Sequence, residues 1–228
     1  QNNLNTGRAK GYSGGTQTAA VFAGGSASDY VAKTEEYNGT SWSEVTDMPQ
    51  SYGGGTANSE SQTDMLACGG GPGTQTTVLA YDGTNWTSSP SLSGSGRRGN
   101  RGAIPSSNLG FTAGGETATT NPITTVEEYN GVAWSAGTAI PSATRDAAGA
   151  GTAENGLFMG GYTSAITTTE GYDGTSWSTK PSMASGRYES GAGGSATSGF
   201  VAGGFTTTNV STTEEFTSVA TTRSVDVS

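Results

Sequence analysis

Short apolar runs ending in paired glycines recur along this chain, and each is followed by a polar segment with an aromatic residue. The runs are Val21-Phe22-Ala23 before Gly24-Gly25, Leu66-Ala67-Cys68 before Gly69-Gly70, Phe111-Thr112-Ala113 before Gly114-Gly115, Leu157-Phe158-Met159 before Gly160-Gly161 and Phe200-Val201-Ala202 before Gly203-Gly204. The doublets stand 45, 45, 46 and 43 residues apart. The segment that follows reads Glu35-Glu36-Tyr37-Asn38-Gly39-Thr40-Ser41-Trp42 in the first copy. A Trp lies five residues after a Tyr in Tyr37 and Trp42, Tyr81 and Trp86, Tyr129 and Trp134, and Tyr172 and Trp177. These are all four tryptophans of the chain. The fifth copy has Phe216 at the Tyr place and Thr221 at the Trp place.

Each copy predicts four short strands. Arg187 to Ala196, small and Gly-rich, suits a crowded inner strand. Gly199 to Gly203 is an apolar run of the kind buried on both faces. Thr212 to Phe216 alternates as a third strand does, and Ser176 to Thr179 supplies a fourth. Asn38-Gly39, Asp82-Gly83, Asn130-Gly131 and Asp173-Gly174 join third to fourth, because both residues of such pairs tolerate positive φ in a tight hairpin. A period near 44 with four strands indicates propeller blades, whose faces are buried only by stacking on neighbours. The expected fold is therefore all-β, a five-bladed β-propeller with four-stranded antiparallel blades. It forms one domain over 1–228, with approximate blades 7–47, 48–91, 92–140, 141–182 and 183–228. The aromatic pairs and Phe216 fill the gaps between blades. The stretch Thr221 to Val227 is expected to give blade 5 its own outer strand, so the ring closes mainly by packing blade 5 on blade 1.

Composition narrows the chemistry. Only 31% of the 228 residues are hydrophobic and 38 are Gly, a disorder-like mix that the regular tryptophans contradict. Net charge is −9, with 10 basic against 19 acidic residues, so neither nucleic acid nor an anionic membrane surface is an expected partner. No apolar run is long enough to cross a bilayer. The chain has no histidine, which removes most zinc, copper and haem sites and His-based catalysis. One Asp per hairpin turn gives too few oxygens for calcium, and no cofactor is expected. The single cysteine, Cys68, cannot form an internal disulfide and sits in an apolar run as a buried thiol. No secretory leader pattern is visible, and a start at Gln1 is expected of a processed or excised chain.

The ordered motifs resemble the kelch repeat: an apolar strand ending in Gly-Gly, Glu170-Gly171-Tyr172-Asp173 with Trp177, Met48-Pro49 and Ile140-Pro141 after the Trp strand, and an arginine before the next doublet. Arg8, Arg98, Arg145 and Arg187 stand 15 or 16 residues before their doublets; the second copy has Tyr52 or Gly53 there instead. Five blades are fewer than is usual for that family. The Thr-rich, near-identical copies also look like kelch-type repeats of bacteriophage and virion proteins, which implies an extracellular or virion-associated setting.

The inner-strand arginines are the first candidate site. In a propeller they point Arg8, Arg98, Arg145 and Arg187, with Arg101, at one mouth of the central channel. Guanidinium forks grip carboxylates there, and the kelch resemblance implies an anionic ligand. The competing expectation is that each arginine pairs with a carboxylate such as Asp146 or Glu189. Glu35, Glu127, Glu170 and Glu214 repeat from blade to blade, which fits polar residues that satisfy backbone groups better than one asymmetric catalytic pair. The variable loops carry Tyr30, Tyr162 and Phe205 among Thr, Ser and Asn, a surface suited to sugar. The leading expectation is a non-enzymatic binding or structural module that recognises glycan or protein. The alternatives are a glycan-processing enzyme using carboxylates and an architectural spacer in a larger assembly.

Overall fold

The computed structural model describes residues 2–218 as an all-β ring of five blades with no helix. Blade 1 comprises β1 (Tyr12–Gly15), β2 (Ala20–Ala23), β3 (Thr34–Tyr37) and β4 (Trp42–Glu44). Blade 2 holds β5 (Met65–Cys68), β6 (Val78–Tyr81) and β7 (Trp86–Ser89). Blade 3 holds β8 (Arg101–Ser106), β9 (Leu109–Ala113), β10 (Val126–Tyr129) and β11 (Trp134–Ala136). Blade 4 holds β12 (Ala148–Gly151), β13 (Gly156–Met159), β14 (Thr169–Tyr172) and β15 (Trp177–Lys180). Blade 5 holds β16 (Gly191–Gly194), β17 (Ser198–Ala202) and β18 (Thr213–Thr217). Every blade is an antiparallel meander in chain order.

Among the described residues two blades show three strands. In blade 2 the inner segment forms only isolated bridges, Thr56 to Cys68 at the end of β5 and Gly53 to Gly71 beyond it. Gly53-Gly54-Gly55 offers no side chains to hold a regular strand there. In blade 5 the expected inner strand from Arg187 shortens to β16, because Glu189 adopts φ of 54° and turns the chain. The expected outer strand Thr221 to Val227, with the Trp-place residue Thr221, lies outside the described residues.

The aromatic columns sit where the pattern placed them. Tyr and Trp face each other across the third and fourth strands with ring centroids 5.2, 4.9, 5.0 and 4.6 Å apart in blades 1 to 4. The core is divided into four clusters, one for each seam between consecutive blades. Tyr12, Val21, Met48, Ala67, Tyr81 and Trp86 join blades 1 and 2. Leu66, Cys68, Ile104, Tyr129 and Trp134 join blades 2 and 3. Phe111, Val126, Phe158 and Tyr172 join blades 3 and 4. Leu157, Met159, Met183 and Val201 join blades 4 and 5. Buried free Cys68 belongs to the second cluster as a small apolar residue.

No such cluster joins blade 5 to blade 1 among the described residues. Phe200, which points that way, is 43% exposed, whereas Phe111 at the same repeat position is fully buried. Among the described residues, the contacts that link blade 5 to blade 1 are polar and lie at the inner rim. Lys10, Gly54, Gly99, Asp146 and Glu189 occupy one repeat position, and all have positive φ. The Gly54 N–H donates to the Lys10 carbonyl at 2.7 Å, Gly99 to Gly54 at 2.6 Å, Asp146 to Gly99 at 2.7 Å and Glu189 to Asp146 at 2.8 Å. These four backbone bonds run from blade to blade around the channel. The fifth link is made by side chains instead, Lys10 Nζ to Glu189 Oε1 at 2.9 Å.

Candidate functional site

The arginines divide into two positions with different fates. Arg8, Arg97 and Arg187 share the first. Each is buried inside its own blade and ion-paired with that blade's glutamate: Arg8 with Glu35, Arg97 with Glu127 and Arg187 with Glu214. The guanidiniums also cap blade carbonyls. Arg8 donates to Gly24 and Phe22, and Arg187 to Gly203 and Thr212. The glutamates in turn accept backbone N–H groups of the incoming linker: Asn5 for Glu35, Ser93 and Gly94 for Glu127, Ala184 and Ser185 for Glu214. Each Arg–Glu pair therefore ties the linker to the third strand. Burial raises the Glu35 carboxyl, but the Arg8 bond and the linker N–H groups outweigh it and hold it below its ordinary value. Arg8 and Arg187 thus do not reach the mouth, contrary to the expected guanidinium ring.

Arg97 escaped the sequence reading because blade 3 carries one extra residue in its inner hairpin, where the register shifts between Ala103 and Ser106. Counting back from the doublet then lands on Arg98. The Arg97-Arg98 doublet was the available signal. Blade 2 replaces both partners with Tyr52 and Leu79, whereas blade 4 keeps Glu170 opposite Thr144. The Oε2 atom of Glu170 is accordingly buried with no partner among the described residues.

Arg98 and Arg145 take the next repeat position and reach the mouth. Arg98, with 47% of its side chain exposed, pairs with Glu116. Arg145 reaches Asp146 at 2.8 Å and Glu116 at 3.6 Å. Its guanidinium lies over the Tyr162 ring, 4.9 Å from the centroid. Tyr30 joins Arg98, Arg145, Glu116, Asp146 and Lys10 around a depression of about 150 Å³. Arg101 lines the channel below, donating to the carbonyls of Gly55 and Asn100 at 3.0 and 2.8 Å. Burial pushes the Asp146 carboxyl up, against the pull of Arg101 and Arg145.

Tyr162 and Phe205 belong to one run of aromatic rings. Tyr162 lies 4.8 Å from Tyr188, and Tyr188 lies 5.3 Å from Phe205. Arg98, Arg145 and Tyr188 sit at equivalent positions, bridged to Glu116, Tyr162 and Phe205. In blades 1 and 2 the same bridges join Ala9 to Ser26 and Gly53 to Gly71. At these bridged positions the charged and aromatic side chains lie on blades 3 to 5 and small residues on blades 1 and 2, while blade 1 brings Lys10 and Tyr30 to the edge of the depression. Tyr188 was missed in the sequence because its loop neighbours, not its own repeat column, give it meaning.

This ring of antiparallel blades around a channel makes the protein a β-propeller. Among solved structures it is similar to one titled "Structure of YjhT", with a TM-score of 0.77 and 13% identity over 93% of this chain and 82% of that chain. At that identity the likeness concerns the fold alone. No protein-family model matches the chain, and neither does any curated protein.

Proposed function

We propose that the chain is a kelch-type propeller acting as a non-enzymatic binding module, displayed outside a cell or on a virion, and that it recognises glycan at the mouth of blades 3 to 5. The observation that carries this reading is the continuous run Tyr162, Tyr188 and Phe205 with Arg145 stacked at its end. The C–H faces of pyranose rings pack on such aromatic faces. The flanking loops Thr163-Ser164 and Thr206 to Asn209 offer hydroxyls and an amide to sugar hydroxyls. Rigid blades with ligand groups on connecting loops are the usual division of labour.

The carboxylate-enzyme alternative draws on the Glu column, and Glu35, Glu127 and Glu214 are engaged in ion pairs inside their blades. The spacer alternative has one observation in its favour: each mouth arginine already faces a carboxylate. A glycan array on the intact chain separates these. Binding of defined glycans, weakened at least about tenfold by Tyr188→Ala at unchanged melting temperature, is the expected result. An empty array, or binding indifferent to Tyr188→Ala and Tyr162→Ala, sinks the glycan reading and leaves the spacer.

A further inference from the structure

Blade 4 keeps a carboxylate whose two usual partners are gone. In blades 1, 3 and 5 the third-strand glutamate is held by an arginine and by the linker N–H three residues before that arginine. Asn5 and Arg8 hold Glu35, Gly94 and Arg97 hold Glu127, and Ala184 and Arg187 hold Glu214. In blade 4 those two places are Pro141 and Thr144. Proline has no N–H to donate, and threonine brings no cation. Glu170 still stands at the glutamate's place, and its Oε2 atom is buried with no partner among the described residues. Blade 2 shows the same two losses, with Pro49 and Tyr52, but there Leu79 replaces the glutamate as well. Blade 4 thus retains the charge without its counter-charge.

The carbonyls that cradle a guanidinium are also present. Arg8 donates to Gly24 and Phe22 at 2.9 and 3.0 Å, and Arg187 to Gly203 and Thr212 at 3.1 and 2.9 Å. Phe158, Gly160 and Thr168 hold the corresponding places in blade 4. The Gly160 carbonyl accepts no hydrogen bond among the described residues, whereas its counterpart in blade 2, Gly69, is taken by the Tyr12 hydroxyl. Lys180 forms no ion pair among the described residues, but its side chain lies over Gly171, on the face of the sheet opposite Glu170. We propose that blade 4 is a binding site for a guanidinium group supplied from outside the chain, with Glu170 and these carbonyls as acceptors. A planar fork matches a carboxylate with several carbonyls better than an ammonium does, as blades 1 and 5 illustrate. Glu170 is half-buried, and Pro141 and Ser142 of the linker are exposed, so the ligand enters past the linker. Two sources carry the group: a free guanidine compound and an arginine side chain of a partner protein.

The carboxyl carbon resonance of Glu170 reads occupancy in the intact chain, with labelled glutamate and the signal identified by its loss in Glu170→Gln. Methylguanidinium is titrated at constant ionic strength, below concentrations that unfold the chain, against methylammonium and the acetylated, amidated peptide Gly-Arg-Gly. The expected result is a saturable shift with methylguanidinium that is at least about tenfold weaker with methylammonium. Thr144→Arg supplies the guanidinium from within, and is expected to abolish the response and raise the melting temperature. A response to the peptide as well assigns the site to a partner's arginine, and a response to methylguanidinium alone assigns it to a free guanidine. Absence of a saturable shift overturns the proposal, as does an equal response to methylammonium or one that persists in Thr144→Arg. The chain also carries Arg223, so the titration is repeated on Arg223→Gln. A response that emerges only in that variant makes Arg223 the occupant and overturns the outside ligand.

Discussion

At the scale of single residues, the repeated Arg–Glu pair sets the terms of stability. Arg97 and Glu127 are both buried, so each depends on the other to offset its desolvation. Burial pulls the Arg97 guanidinium down, and Glu127 pulls it back. Arg97→Met strands a buried carboxylate and is expected to cost about 3 kcal/mol. The double change Arg97→Met with Glu127→Leu removes the stranded charge and is expected to recover most of that loss. Blade 2, with Tyr52 and Leu79, is a natural instance of the neutral solution. Urea midpoints of the two singles and the double form the cycle that checks this. A double variant no better than the singles contradicts it.

The same pair predicts a pH response. Glu35 in the folded chain holds its proton less tightly than its ordinary value near 4.5 implies. The unfolded chain therefore binds that proton more readily, and protonation favours unfolding. The pair's contribution is complete above about pH 4.5 and is lost as pH falls through the lowered value. Between pH 6 and pH 3, wild type is expected to lose more stability than Glu35→Gln, whose amide does not titrate. Equal losses in urea melts at the two pH values refute this role for Glu35.

At the scale of strands and turns, glycine placement explains both what could be read and what could not. The Gly-Gly doublets are read easily because they close every second strand and all ten of these glycines have positive φ. Gly114 shows why the first glycine tolerates no side chain. Its φ is 61°, and a Cβ there would stand 2.3 Å from the Thr144 carbonyl oxygen of the next blade. Gly54 has φ of 74° but open space around a Cβ. Gly54→Ala is thus expected to cost about 1 kcal/mol, for conformation alone. Gly114→Ala adds a backbone clash and is expected to exceed that severalfold, as thermal melts of the two variants would report. The rim of positive-φ residues was not legible, because Lys10, Asp146 and Glu189 hold three of its five places and nothing in their chemistry announces a left-handed turn. The Arg column was legible as a column. Its split into buried and mouth-facing positions was not, because one extra residue in the β8–β9 hairpin moves the count by one. The aromatic run failed for a further reason: Tyr162, Tyr188 and Phe205 are far apart in sequence and meet only where neighbouring blades converge.

At the scale of the molecule, the seam between blades 5 and 1 is the property on which behaviour in solution turns. Its two walls carry the same side chains as the closed seam between blades 3 and 4. There, Phe111 contacts Tyr172 and Trp177 with centroids 5.2 and 5.8 Å apart, and the Tyr172 hydroxyl donates to Glu128. Phe200 and Glu215 repeat Phe111 and Glu128 on blade 5, and Tyr37 and Trp42 repeat Tyr172 and Trp177 on blade 1. The walls are therefore complementary; among the described residues Phe200 is partly exposed, Tyr37 is buried, and the rim link is the partly exposed Lys10–Glu189 pair, which contributes at most about 1 kcal/mol. A matched pair of substitutions reports which state prevails. Phe111→Ala empties a buried site and is expected to cost about 3–5 kcal/mol. Phe200→Ala, at the same repeat position but 43% exposed, is expected to cost less than about 1 kcal/mol. Equal costs in denaturant unfolding would mean that the ring closes in solution as blades 3 and 4 do. Among the described residues, blade 5 shares an apolar cluster with blade 4 alone, so its amides are expected to exchange before those of blades 2 and 3. Slow exchange in β17, matching that of β9, would place the wall of blade 5 against blade 1 and reverse this picture.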